Sequence, residues 1–524
     1  MASSTQGVLA PSRLASRIKA HALAGIEAAK PPIVMITPPS VFLLDERVFM
    51  SLGILKVAAV LEKAGRKIEM LDLSGIENYL DVVATHLASS KATHVLITVT
   101  TPQFPATALI VACIREVRPD VILVAGGPHV TLTAAAVKLE TKAGRVARAH
   151  RALDSLHQVF DVLVAGDGEM AVFEALSQNP PKLIDGDDNR GPLFMDNAIY
   201  EESPLPARHL VDVESYKYTI EGHKATSYIG QLGCPMACSF CGGRNSKALR
   251  VIRARTSSSI VDELEMLYSR YGFTAFMNYE DELNINKKAF LESLRDIRKL
   301  QDRLGVEFRL RGFVKAELFD EEQAEAMFAA GFRWILSGFE AAHPRILENI
   351  RKNATVEDNT RVVLAGHKYG LKTKALMSVG HAGESEETIL AIRQWLIDVK
   401  PADFDCTVIT VYPGTPYYDE AVEEVPGSGI WTFTCKKSGD KLHAYDLDFT
   451  QSAGYYKGDP NAYKSYVFTD HLSADRIVEL RNVVERDVRA ALNIPFNPSN
   501  PALRYEHSMG AAPGLPSFIL RRSV

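Results

Sequence analysis

The feature that most constrains this chain is a strand–helix alternation that fills residues 31–195, breaks, and resumes from 225. "PPIVMITPP" is a short apolar run closed by prolines and reads as a buried strand. "LGILKVAAVLEKAG" follows with helical spacing and stops at Gly65, a glycine placed to end a helix. "KIEMLDL", "HVLITVTT", "VILVAGGPHVT" and "FDVLVAGDGEM" are further strands, and "ATALIVACIREVRPD" is a helix among them. Repeated βα units with β-branched strands predict an α/β fold whose first domain is a doubly wound, Rossmann-like parallel sheet. Ligands of such sheets sit beyond the carboxyl ends of the strands. "TPPS", "TTPQFP", "GGPHVT" and "GDGE" all fall there.

Residues 181–224 are rich in Pro, Gly and Asp and predict a linker with at most a small hairpin. Beyond them "TSYIGQL", "AFMNYEDE", "EFRLRGFV", "RWILSGFE", "TKALMSVG" and "DCTVITVYPGTP" alternate with helical segments. "SSSIVDELEMLYSRYG" is one of these, with serines placed to cap it. Six βα units fall short of the eight of a closed barrel, so an open, partial (βα)6 TIM-type barrel is predicted. "SADRIVELRNVVERDVRAAL" is a late helix with Ser473 or Asp475 near its cap. The predicted organisation is an N-terminal extension over 1–30, a sheet domain over 31–195, a linker over 196–224, the partial barrel over 225–425 and a mixed C-terminal cap over 426–524.

Half of the six cysteines crowd into "GCPMACSFCGG", which holds Cys234, Cys238 and Cys241 within eight residues. Thiolates at this spacing converge on one point, and soft sulfur ligands select zinc, copper(I) or iron–sulfur. A structural zinc wants four ligands. The one histidine in reach, His223, lies eleven residues upstream across a strand. A disulfide would leave an odd thiol. The spacing fits a cluster with three protein-bound irons and one open iron. Cys113 on a helix, Cys406 in the sixth barrel strand and Cys435 in the tail are too few for a second cluster.

Composition excludes other classes. The charge of -5, with no basic run and no aromatic-basic stripe, argues against a nucleic-acid partner. No stretch reaches the roughly 18 apolar residues of a membrane helix. The first acid is Glu27, after Arg13, Arg17 and Lys19, which is faintly like a transit peptide but reads more simply as a surface helix. Six cysteines in 524 residues make no disulfide scaffold, so a reducing, cytoplasmic setting is expected.

A CxxxCxxC loop after the first strand of a partial βα barrel resembles the radical S-adenosylmethionine (SAM) superfamily. The resemblance implies that Cys234, Cys238 and Cys241 ligate a [4Fe–4S] cluster and that SAM chelates the fourth iron. Phe240, before the last cysteine, is aromatic as is common there. "SGFEAAHPRILENIRKNAT" resembles the fourth-strand block, which implies that Ser337 and Glu340 face the SAM ribose or methionyl group; Ala341 stands where the family often has serine. "MSVGHAGESEET" resembles the fifth-strand "GxPGET" block, with Gly380 its first glycine and Ala382 replacing the proline. "YPGTPYYD" matches the sixth. "NYEDELN" lies where the family turns polar groups to SAM's amino group, and its candidates are Asn278, Glu280 and Asp281. The implied chemistry is one-electron reduction of SAM to a 5′-deoxyadenosyl radical, which takes a hydrogen from an unactivated C–H bond.

"GDGEMA" has the form of a dinucleotide fingerprint after a strand, but it ends the βα series, and the linker after it offers no ribose-binding acid. The sheet domain instead resembles the cobalamin-binding domain of B12-dependent radical SAM enzymes. That implies close backbone approach to the corrin or its nucleotide tail at Gly126 and Gly127, hydrogen bonds from Thr100, Thr101 and Thr131, and further contacts at Gly166, Gly168 and Glu169. No D-x-H-x-x-G motif is present. "PPSVFLLDERVFMSLG" holds no histidine, and His129 reads as an edge hydrogen-bonding residue rather than an axial ligand. Weak axial ligation favours methyl transfer.

The expected function is therefore methylation of an unactivated carbon, or less often of phosphorus, on a small-molecule substrate, with cobalamin, SAM and a [4Fe–4S] cluster and an electron donor such as flavodoxin or ferredoxin. The rival is an oxidative cyclisation or rearrangement without methyl transfer, resembling the anaerobic magnesium-protoporphyrin ester cyclase. A cobalamin-binding sensor leaves the cysteine loop unexplained. Tyr455, Tyr456, Tyr463, Tyr466 and "RYEHSMG" either line a substrate pocket or pack as a cap on the barrel.

Overall fold

The computed structural model describes residues 12–23, 30–39, 47–449 and 464–494. Six short strands, β1 (Ile33–Thr37), β2 (Ile68–Asp72), β3 (His94–Thr98), β4 (Ile122–Gly126), β5 (Val162–Gly166) and β6 (Leu183–Gly186), form one parallel sheet in the order β2-β1-β3-β4-β5-β6. Every residue of β1 is buried, as a strand covered on both faces requires. The order reverses between β1 and β3, which opens a crevice at the carboxyl ends.

Two features depart from the expectation. "LIDG" lies in the segment read as linker, yet it pairs with β5 as an edge strand. Two apolar residues beside Asp and Gly are too weak a pattern to signal a strand. Between β4 and β5 run two helices, Pro128–Lys142 and Arg148–Val159; the sequence reading assigned neither.

The second unit is a curled sheet of β7 (Thr219–Ile220), β8 (His223–Tyr228), β11 (Ala275–Asn278), β12 (Arg309–Phe313), β13 (Phe332–Glu340), β14 (Lys372–Val379) and β15 (Asp403–Val408). Two small strands, β9 (Gln231–Leu232) and β10 (Arg253–Ala254), form an antiparallel clasp outside it. The strands from β8 to β15 are parallel and adjacent in chain order, which is the six-unit partial barrel the sequence predicts. β7 adds an antiparallel edge. The helix Ser257–Tyr271 is capped by Thr256, whose side chain accepts from the Ser259 N–H, so the serines occupy its first turn and not the cap. Ser473 caps the helix Ala474–Leu492 as expected.

That last helix closes the free edge of β15. The Cys406 N–H donates to Glu485 Oε1 at 3.2 Å, and Arg481 Nε donates to the Cys406 carbonyl at 2.7 Å. Two long side chains thus do for this strand what a neighbouring strand does elsewhere. A three-stranded antiparallel sheet of β16 (Ile430–Thr434), β17 (Lys441–Tyr445) and β18 (Val467–Phe468) completes the described residues. No helix among them is long and apolar enough to cross a membrane.

The two units meet closely. Arg148 lays its guanidinium over the rings of Tyr418 (3.6 Å) and Trp431 (4.3 Å) and donates to the Tyr418 carbonyl at 2.6 Å. Arg145 donates to the Asp419 carbonyl at 2.7 Å. Asp187, just past β6, accepts from Ser246 Oγ at 2.6 Å and the Ala248 N–H at 2.8 Å.

Candidate active site

The cysteine loop spans the clasp from β9 to β10 and is tied down along its length. The Cys234 N–H donates to the Leu249 carbonyl, Ser239 N–H to Ile350, Tyr417 N–H to Ser239 and Gly243 N–H to Gly414, all at 2.9–3.1 Å. At Gly233, with φ of 89°, any Cβ would collide with the Val251 carbonyl, so only glycine turns the chain into the loop. Cys238 is buried and its two partners are half-buried. Among the described residues no three Cys, His, Asp or Glu close on a single-ion site. The three thiols share one loop and lie close enough to act electrostatically on one another and on the same guanidinium, that of Arg244.

Burial pushes the Cys241 thiol up to about 12 and raises Cys234 as well. Arg244 opposes this: its guanidinium faces all three cysteines and donates to the Cys234 carbonyl at 3.2 Å.

β11 delivers its acidic run to the base of this loop. Glu280 is buried, accepts the Gly230 N–H at 2.9 Å, and is pushed up to about 8 by burial. Asp281 is exposed and faces the Gly233 N–H. Asn278 Oδ1 and Glu282 Oε2 are buried without a hydrogen-bond partner. β13 brings Glu340, whose Oε2 accepts from Ser378 Oγ at 2.6 Å and whose Oε1 faces the buried ammonium of Lys352 at 3.5 Å. Burial would lower Lys352, but Glu340, Cys238 and Glu282 outweigh it and hold the ammonium well above its ordinary range. Ser337 is buried, with its hydroxyl on the Val314 carbonyl at 2.9 Å. Gly380 turns the chain after β14 and donates its N–H to Glu384.

A cavity of about 760 Å³ lies between the two units. Its sheet side carries Thr100, Thr101, Gly126, Gly127, Gly166, Gly168 and Glu169; its barrel side carries Ser227, Leu232, Tyr279 and Tyr412. His129 and Thr131 do not line it. His129 is buried with Nδ1 3.0 Å from Thr101 Oγ1, and burial lowers it to about 4. Thr131 donates to the Gly127 carbonyl and accepts the Gly166 N–H, so its hydroxyl is a strut between the ends of β4 and β5. None of the described lining residues is a histidine. One wall is charged. Glu263 pairs with both Arg208 and Arg255, and Asp167 with Arg253. Lys56 lines the cavity with its ammonium over the Tyr200 ring.

Lys352, Ser378, His381, Tyr417, Arg244 and Lys56 were not named from sequence. Lys56, Lys352, Ser378, His381 and Tyr417 lie inside stretches quoted for other reasons, and Arg244 directly follows the quoted cysteine loop; none carries a signal of its own before the fold. Of the C-terminal tyrosines only Tyr466 falls within the described residues. It is half-buried, and its carbonyl accepts the Tyr445 N–H at 3.0 Å. Tyr455, Tyr456, Tyr463 and "RYEHSMG" lie outside them.

Two family profiles match the chain: "B12 binding domain" over residues 46–156 and "Radical SAM superfamily" over residues 228–396. An uncharacterized methyltransferase of Pyrococcus horikoshii is 27% identical over 323 residues, 59% of this chain and 64% of its own. The anaerobic magnesium-protoporphyrin IX monomethyl ester cyclase of Rubrivivax gelatinosus is 25% identical over 379 residues, 69% of this chain and 65% of its own. The chain thus spans just under two thirds of the length of each. The same fold occurs in the radical SAM methyltransferase TsrM of Kitasatospora setae, solved with cobalamin and a [4Fe–4S] cluster. Its TM-score is 0.62 at 19% identity, covering 88% of this chain and 89% of that one. With a B12-binding domain followed by a radical SAM domain, the chain belongs to the family of B12-dependent radical SAM enzymes.

Proposed function

We propose that this protein is a cobalamin-dependent radical SAM enzyme that methylates an unactivated carbon, or less often phosphorus, of a small molecule. The observation that carries the reading is the cavity: one wall is the glycine-lined end of the B12-type sheet, and the other is the barrel mouth beside the cysteine loop. The donor set fits the implied groups. Three thiols beside the Arg244 cation suit an iron–sulfur cluster, and the orphaned Asn278 Oδ1 and Glu282 Oε2 offer acceptors to a cationic amine. When bound, the cluster with SAM supplies a hydrogen-abstracting radical, and cobalamin supplies a methyl group. The chain's own part is to hold, orient and exclude water. Cys234, Cys238 and Cys241 would hold the cluster, Glu340 and Asn278 would orient SAM, and the β3, β4 and β5 ends would seat the corrin. The absence of histidine from the described cavity lining agrees with weak axial ligation. Similarity to the cyclase keeps a second reading, oxidation without methyl transfer.

The test is an anaerobic incubation of reconstituted protein with hydroxocobalamin, methyl-labelled SAM and a strong reductant. S-adenosylhomocysteine, 5′-deoxyadenosine and label in the corrin fraction support a methylase. Deoxyadenosine alone supports the cyclase-like reading. Cys238→Ala is expected to lose iron and SAM cleavage while retaining cobalamin; SAM cleavage by that variant would remove the cluster assignment.

A further inference from the structure

Four side chains at the carboxyl end of the barrel form a hydrogen-bonded series, and the reading above leaves three of them, Ser378, His381 and Tyr417, unused. Tyr417 Oη lies 3.3 Å from His381 Nδ1, and His381 Nε2 lies 2.8 Å from Ser378 Oγ. Ser378 Oγ then donates to Glu340 Oε2 at 2.6 Å. Tyr417, His381 and Ser378 are 2%, 0% and 6% exposed, so water does not compete for these contacts.

Counting hydrogens fixes the direction. A serine hydroxyl has one hydrogen, and here the carboxylate takes it. Ser378 Oγ must then accept from His381, which places the ring proton on Nε2. Nδ1 is left with a lone pair and accepts from the Tyr417 hydroxyl. Burial, and after it the charge of Lys352, lowers His381 to about 3, so the ring is neutral as this arrangement requires. Every hydrogen in the series points toward Glu340.

Glu340 itself sits in left-handed backbone, φ 64°, at a register shift between β13 and β14. Its second oxygen faces Lys352, and Gly338 leaves room for both, since a Cβ there would lie 3.2 Å from Lys352 Nζ. The carboxylate is pinned from two sides. A carboxylate carries about four acceptor positions, so Ser378 and Lys352 leave lone pairs free on a side chain that is 13% exposed. The series also touches the cysteine loop: Tyr417 N–H donates to the Ser239 carbonyl at 3.1 Å, and the Phe240 ring meets His381 edge-on at 5.4 Å.

We propose that Ser378, His381 and Tyr417 are positioning residues that set the Glu340 carboxylate to accept the hydroxyls of a nucleoside ribose. The inference rests on the reading of the chain as a SAM-binding enzyme and adds residues to it. The test measures SAM dissociation constants on full-length, cluster-reconstituted protein, with iron content and cobalamin affinity as controls. Ser378→Ala and His381→Leu are expected to weaken SAM binding roughly tenfold or more at unchanged iron content. His381→Gln keeps a donor toward Ser378 and is expected to restore most of that loss. Tyr417→Phe, the mildest change, is expected to weaken binding by a smaller factor. Glu340→Gln combined with Ser378→Ala is expected to be no weaker than Glu340→Gln alone, because the hydroxyl acts through the carboxylate. A packing role predicts the reverse: leucine tolerated, glutamine harmful, and additive losses in the double variant. That result overturns the inference alone. A wild-type protein that binds no SAM overturns the enzyme reading and the inference with it.

Discussion

Two adjacent glycines at the end of β4 both line the cavity, but only the second is also a structural turn. Gly126 lines the cavity, and a Cβ built on it meets nothing nearer than Val164 at 3.9 Å. Gly127 has φ 99° and ψ -175°, and its Cβ would lie 2.9 Å from both Thr98 Oγ1 and the Val99 nitrogen. For Gly127→Ala, backbone strain of about 1–3 kcal/mol adds to overpacking of about 1–3 kcal/mol, so the melting temperature should fall clearly. For Gly126→Ala the folded protein has room, and a compatible Gly→Ala change is neutral or stabilising by about 0.4–1 kcal/mol. If the corrin packs against β4, however, the new methyl displaces it. Overpacking of about 1–3 kcal/mol then appears as a loss of about 5- to 150-fold in cobalamin affinity. The assay is spectrophotometric titration with hydroxocobalamin, paired with a thermal melt of the apoprotein. A Gly126→Ala protein that melts like wild type and binds cobalamin within twofold of it would refute the placement of the cofactor against this wall.

Two further outcomes are expected. Glu384 is fully buried, accepts the N–H groups of Gly380 and His381, and is pushed by burial from 4.5 up to about 8. Because its folded value is raised, the folded state holds the extra proton between those limits, and stability falls as pH rises from about 4.5 to about 8. Glu384→Gln should flatten that slope, on the order of a few kcal/mol across the window, read from denaturant midpoints at pH 5 and pH 8. Arg148→Ala removes both cation–π contacts and the bond to Tyr418, and should raise hydrogen exchange in residues 412–420 and in the cysteine loop. Arg148→Lys should not restore protection, since an ammonium lacks the planar stack.

Both sheets were legible in the sequence because their strands are apolar runs bounded by Gly and Pro, and all six barrel strands fall on the quoted stretches. The edge strand Leu183–Gly186 was not, because it buries a single side chain, that of Ile184, beside a buried glycine. The cysteines were legible through spacing. The polar partners were less so: Glu280 and Thr131 spend hydrogen bonds on backbone distant in sequence, at Gly230 and Gly166, which no motif announces. His381 appears in sequence as the variable position of a turn, and only the fold sets it between Tyr417 and Ser378. The wall of Leu232, Tyr279 and Tyr412 arises from packing two units together, which neither unit's pattern encodes.

The side-chain closure of β15 has a consequence for how this chain tolerates shortening. An open half-barrel leaves a strand whose amides invite another molecule's strand, and here Glu485 and Arg481 stand in the way. A protein ending before residue 474 would keep every residue assigned above to the cluster, SAM and corrin, yet present a bare template at β15. Its failure would be self-association growing with concentration, not a change in chemistry.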